Sequence, residues 1–152
     1  MSETLHIVCP HCHTTNRIAP AHLAGPADCG RCHQNLFTGH PIALDAQAFD
    51  RHVQRSQIPL LVDFWAPWCG PCRQMAPAFE QAAGLLEPQM RLAKVDTEAV
   101  PDLAARFAIR SIPTLALFHE GREIARQPGA MGRDDIVRWA RMQAARAGLQ
   151  TA

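Results

Sequence analysis

Hydrophobic positions change their rhythm along this chain. Up to about residue 38 large apolar side chains are few (Ile7, Val8, Ile18, Leu23, Leu36, Phe37), follow no period, and sit among His, Pro and Gly. They are too sparse to close a core unaided. Thr38-Gly39-His40-Pro41 reads as a connector, and beyond it the pattern is regular. Ile42-Ala43-Leu44 predicts a short strand, and Asp45 caps a helix running to about Arg55. Leu60 to Trp65 is an apolar run broken only by Asp63, the pattern of a strand buried on both faces. A helix from Cys69 to about Leu86 follows, with Pro77 inside it as a kink.

Met90 to Val95 predicts the next strand and Pro101 to Phe107 a helix. Thr114–His119 and Glu123–Gln127 flank Glu120-Gly121-Arg122, a hairpin turn. An amphipathic helix closes the chain from Arg133 to about Ala147. The predicted order is βαβαβαββα, an α/β domain with a parallel first part and an antiparallel final pair. Two modules are expected, residues 1–38 and 39–152, each folding and failing independently of the other.

At 152 residues the chain has room for one ordinary domain and a small appendage. Charge is nearly balanced, 15 Lys+Arg against 14 Asp+Glu, so neither nucleic acid nor a membrane surface is an expected partner. Lys94 is the sole lysine, which marks it for attention. No apolar run approaches the roughly 20 residues of a membrane span. Met1 to His6 has neither the basic segment nor the apolar core of a signal peptide. A cytoplasmic, monomeric protein is expected.

All six cysteines lie in C-x-x-C pairs. Cys9/Cys12 and Cys29/Cys32 are separated by residues 13 to 28, a spacing that suits a tetrahedral zinc site. Thiolates favour Zn²⁺, and a segment with so little core needs the folding energy that a structural metal supplies. One structural zinc ion on Cys9, Cys12, Cys29 and Cys32 is the reading; His11, His13 and His33 are alternative ligands, with solvated loop residues the preferred reading. The third pair, Cys69-Gly70-Pro71-Cys72, follows the buried strand at the start of a helix. A pair so spaced closes and reopens a disulfide ring, and the helix N-terminus stabilises a thiolate on Cys69. Cys69 is expected to be the exposed nucleophile and Cys72 the buried resolving thiol.

Val62-Asp63-Phe64-Trp65-Ala66-Pro67-Trp68-Cys69-Gly70-Pro71-Cys72, together with Lys94-Val95-Asp96, Ile112-Pro113-Thr114, Gly121 and Gly129, resembles the thioredoxin family over residues 41 to 148. The resemblance implies the thioredoxin fold, a central mixed β-sheet flanked by helices, preceded here by a zinc-ribbon module. It also implies that Asp63, paired with Lys94, exchanges a proton with Cys72, and that Pro113 is a cis-proline facing the redox pair. Trp68, Gly70, Pro71, Ile112 and Gly129 would form the substrate rim. Arg73, Ser111 and Pro128 depart from the commonest family residues near that rim. With the ribbon included, the chain resembles the bacterial thioredoxin 2 group.

The implied activity is protein-disulfide reduction, with oxidised proteins as substrates, an NADPH-dependent thioredoxin reductase as electron donor, and no organic cofactor bound. Two alternatives stand beside it. One is an added redox-sensing binding or chaperone role for the zinc module; the other is disulfide oxidation or isomerisation. Cys9-Pro10-His11-Cys12 matches the tetrad of strongly oxidising relatives, but no apolar strand precedes it and no helix follows.

Overall fold

The computed structural model describes residues 4–23 and 25–149. Its main sheet follows directly from the regular part of the pattern. Five strands lie in the order β3-β5-β4-β6-β7: β3 (Ile42–Ala43), β4 (Leu60–Trp65), β5 (Arg91–Asp96), β6 (Thr114–His119) and β7 (Arg122–Pro128). β3 and β4 run parallel to β5, whereas β6 runs antiparallel to β4 and β7 antiparallel to β6. β4 therefore sits in the middle with both edges paired, which is why its sequence is apolar almost throughout.

Alternation along the strands separates two cores. Leu61 and Leu92 face α2 (Gly70–Leu86) and α4 (Arg133–Arg146), packing with Met75, Phe79, Ile136 and Trp139. Leu60, Val62, Phe64, Ala93 and Val95 face α1 (Ala46–Arg55) and α3 (Pro101–Arg106), packing with Phe49, Leu103 and Phe118. α1 begins where Asp45 accepts the Ala48 N–H at 2.8 Å, an N-cap that supplies one of the unpaired first-turn donors with its partner. The β6–β7 hairpin turns on Glu120 and Gly121, both at positive φ, the backbone that a two-residue I′ loop requires.

The N-terminal segment holds two strands that its sparse hydrophobic pattern did not reveal. β1 (Leu5–Val8) and β2 (Thr15–Ile18) pair antiparallel, with the first cysteine pair in the turn between them. The segment packs against the main domain. Ile7, Cys9, Ala27, Cys29 and Leu36 form one buried cluster with Ile58 of the main domain. The Gln57 N–H donates to the His6 carbonyl at 2.8 Å, and its side-chain oxygen accepts the His6 N–H at 2.7 Å. Arg91, 1% exposed, donates to the Val8 carbonyl at 3.1 Å.

The core on the α1 side is held by aromatic edges: Phe118 meets Phe49 at 5.2 Å and Phe107 at 5.0 Å between ring centroids. Phe118→Ala is expected to lower unfolding free energy by roughly 3–5 kcal/mol, read by urea denaturation. Phe107→Ala should cost less, because that ring is only half-buried. The opposite ranking would show that the packing there is carried by the loop after α3.

Candidate active site and cysteine centre

β4 ends at Trp65, and the chain turns through Ala66, Pro67 and Trp68 into α2. Cys69 is the N-cap of that helix, and its sulfur accepts the Cys72 N–H at 3.3 Å. Cys69 and Cys72 form a disulfide with their Cα atoms 5.3 Å apart. The expectation of an exposed Cys69 needs correction. It is 4% exposed and Cys72 1%, because both sulfurs are packed among Ala66, Trp65 and Ile112. Cys69 remains the more accessible of the two. Pro71 lies in the first turn of α2, where a missing N–H costs nothing.

The rim gathers around this sulfur. The Ile112 carbonyl oxygen is 3.8 Å from Cys69 Sγ. The Ile112–Pro113 peptide bond is cis, and the Pro113 carbonyl accepts the Gly129 N–H at 2.9 Å. Gly129 sits at φ +99°, a conformation that a side chain would strain. Trp68 is 68% exposed, and Gly70, Pro71 and Gly129 are exposed too. The five residues expected at the rim thus include four open to solvent, with Ile112 half-buried against the disulfide.

Asp63 is fully buried and neither carboxylate oxygen has a hydrogen-bond partner among the described residues. By alternation it shares the α2 face of β4 with Leu61 and Trp65. Burial raises its pKa to about 7, against a downward pull from the charge on Lys94. Lys94 lies opposite Asp63 in the β4–β5 register, half-buried, with its ammonium 4.3 Å from the centre of the Trp65 ring. The pairing that the resemblance implies is therefore a through-space field and not a hydrogen-bonded ion pair.

The other four cysteines converge. Their sulfurs all lie within 4.8 Å of one another, with Cys9 to Cys32 and Cys12 to Cys29 at 3.6 Å each. Four sulfurs about 2.3 Å from a central zinc would stand about 3.8 Å apart, so the arrangement fits the ion. The two halves repeat each other. Cys9 Sγ accepts the N–H groups of His11 and Cys12, and Cys29 Sγ those of Arg31 and Cys32. His13 and His33, next to the second cysteine of each half, take φ of 62° and 64°. Donors aimed at sulfur stabilise thiolates, the form that binds metal. The ring of His11 bonds the Asn35 carbonyl and that of His13 meets His52, so neither joins the cluster.

Two residues near these centres were not legible from the pattern. Glu98 accepts the indole N–H of Trp68 at 2.6 Å, fixing an exposed side chain of the rim. Arg91 falls within the strand that Met90 to Val95 predicts, and it is among the largest fully buried side chains. Nothing in a single sequence distinguishes an arginine covered by a neighbouring module from one facing water.

Comparison with known proteins agrees with this geometry. Residues 40–142 match the thioredoxin family, and residues 8–34 match the family described as "Thioredoxin 2, N-terminal", a zinc ribbon. The chain is 45% identical to Thioredoxin C-3 of Corynebacterium nephridii over 88% of its own length and 91% of that protein's. It is 40% identical to a bifunctional thioredoxin reductase/thioredoxin of Mycobacterium leprae over 66% of this chain and 22% of that one. Among solved structures, a point-mutant thioredoxin from Halobacterium salinarum superposes with a TM-score of 0.63 at 26% identity, covering 70% of this chain and 93% of that one.

The buried carboxyl generates a pH-dependent prediction. With its pKa at about 7 in the folded protein and about 3.9 when unfolded, Asp63 is protonated in both states below pH ~4 and contributes nothing there. As pH rises to 7 the unfolded state loses its proton first, so stability falls. Above pH 7 the full cost is reached, on the order of 4 kcal/mol. Asp63→Ala should therefore stabilise the protein at pH 8 by about 2–4 kcal/mol after the loss of packing, and the gain should vanish near pH 4. Urea denaturation at both pH values checks this; a gain independent of pH would mean the carboxyl is not the titrating group.

Proposed function

The chain belongs to the thioredoxin family and is a protein thiol–disulfide oxidoreductase; on that footing we propose how its residues divide the reduction of protein disulfides. The observation that carries the assignment is the placement of Cys69 Sγ at the first turn of α2, bonded by the Cys72 N–H at 3.3 Å and 3.8 Å from the Ile112 carbonyl.

In the dithiol form, Cys69 attacks as the thiolate, which that N–H and the helix dipole stabilise. It displaces one sulfur of the substrate disulfide as a thiolate that takes up a proton, and a mixed disulfide with the other sulfur remains. Cys72 then gives its proton to Asp63, whose pKa of about 7 suits a base at neutral pH. The Cys72 thiolate attacks Cys69 Sγ and expels the second substrate sulfur. Two electrons and two protons pass to the substrate, and the Cys69–Cys72 disulfide is left. Lys94 moderates, through its field, the upward shift that burial gives the Asp63 carboxyl. The Ile112 backbone, next to cis-Pro113, pairs with an extended substrate segment by strand addition, while Trp68, Gly70, Pro71 and Gly129 supply the apolar rim.

Cys9, Cys12, Cys29 and Cys32 hold one structural zinc ion, which supplies folding energy to residues 1–38 and takes no part in electron transfer; residues 39–152 make up the redox domain. An NADPH-dependent thioredoxin reductase restores the dithiol, a partner supported by the relative whose name joins the two activities. Among the described residues no helix is long and apolar enough to cross a membrane. A reducing cytoplasm, where free thiolates persist for the metal, suits this chemistry.

The test is a trap. Cys72→Ser should accumulate mixed disulfides with insulin chains through Cys69, seen as adducts on non-reducing gels, while Cys69→Ser accumulates none. Both variants should lose at least about 100-fold in insulin reduction, since neither can complete a cycle. Equal trapping by the two would reverse or abolish the assigned roles.

A further inference from the structure

Beneath the cysteine module lies a charged group that the redox reaction does not use. Arg91 opens β5 and is 1% exposed. One of its amino groups donates to the carbonyl of Val8, the residue just before the ligand Cys9, at 3.1 Å. The other pairs with Glu87 at 3.3 Å, and both of those side chains are buried. The guanidinium carbon stands 4.7 Å from the centre of the Phe37 ring. Glu87 in turn accepts the Gly39 N–H of the connector at 2.9 Å. Arg91 Nε has no partner among the described residues. Val8, Phe37 and Gly39 all belong to the module or its tether, so the ion pair is roofed by the very segment that lacks a core of its own.

Two buried charges are tolerated only while every contact that solvates them stays in place. Removing such contacts leaves an uncompensated charge in an apolar setting. Burial already pushes the Glu87 carboxyl up and the Arg91 guanidinium down from their ordinary ranges. The Val8 carbonyl is held by the β1–β2 hairpin, whose turn carries Cys9 and Cys12.

We propose that the Arg91–Glu87 pair couples metal binding in the N-terminal module to the folding of the redox domain, so that loss of the ion destabilises the strand that carries Lys94. This rests on the reading that the four cysteines bind zinc. In the metal-free chain the hairpin loosens, the Val8 carbonyl and the Phe37 ring leave, and Arg91 and Glu87 meet water through a breach at the start of β5. The redox domain then unfolds at a lower temperature although its own core residues are unchanged.

The three tryptophans, Trp65, Trp68 and Trp139, all lie in the redox domain, so their fluorescence reports on it alone. The reduced full-length protein is first weighed by native mass spectrometry and then melted with zinc bound and after chelation. One zinc per chain and a tryptophan-detected midpoint lower by roughly 10 °C after chelation are expected, the shift that exposing a buried ion pair implies for a chain of this size. In the double variant Arg91→Leu/Glu87→Leu, which removes both charges together, chelation should move the midpoint by less than half as much. Amide hydrogen exchange in β5 of the parent protein should accelerate at least tenfold on chelation, a reading that stands even where the double variant fails to fold. A chain without stoichiometric zinc would overturn the metal reading and the coupling with it. Bound zinc with an unmoved midpoint and unchanged exchange would overturn the coupling alone. A double variant that keeps the whole shift would take the role away from this ion pair.

Discussion

The first turn of α2 has backbone N–H groups that no carbonyl of the helix can reach, and a sulfur takes the place of the usual capping oxygen. Much of the site follows from that substitution. A thiol at this position is drawn toward the thiolate, and the helix that favours the charge also sets its partner cysteine one turn further in, at 5.3 Å between Cα atoms. The helix is placed by β4, which is paired on both edges and so cannot shift its register without exposing a face of the core. The redox pair is thus set at the end of the most constrained strand in the protein.

The same strand explains the unpaired carboxyl that the core beneath α2 accepts. Asp63 occupies a position whose neighbours on the same face, Leu61 and Trp65, belong to the packing under α2. Burial keeps its proton on to near neutral pH, and nothing among the described residues donates to it. A stronger partner would have made the domain more stable and the carboxyl useless as a base. The half-buried Lys94, spending its ammonium on the Trp65 ring, moderates the shift without cancelling it. Stability is given up at the place where proton transfer is needed, which is the usual direction of compromise at catalytic groups.

Long periodic segments were readable from the chain itself: β4, α2 and α4 lie within a residue or so of where the apolar pattern sets them. Short pieces were not. β1 and β2 have four residues each, and Thr15-Asn16-Arg17-Ile18 offers one large apolar side chain from which to infer a strand. The cysteine spacing announced a metal-type cluster, and the four sulfurs do converge, because ligand geometry is encoded locally in each C-x-x-C turn. The contact between the two parts was hidden because it depends on a charged residue whose cover comes from more than 80 positions away in sequence. The exposure of Cys69 was overstated for a related reason: Ile112, which covers it, arrives from a distant loop.

Ile58 and Arg91, where the N-terminal module is anchored, stand at the beginnings of β4 and β5, while Cys69 follows the far end of β4. A run of six paired residues, Leu60 to Trp65 against Arg91 to Asp96, spans roughly 17 Å at about 3.3 Å per residue. A disulfide requires Cα atoms within about 7 Å. A chain with three cysteine pairs invites scrambling between them, and here each set is packed with its own: Cys69 and Cys72 sit among Ala66, Trp65 and Ile112, while the other four sulfurs lie within 4.8 Å of one another against Ile7, Leu36 and Ile58.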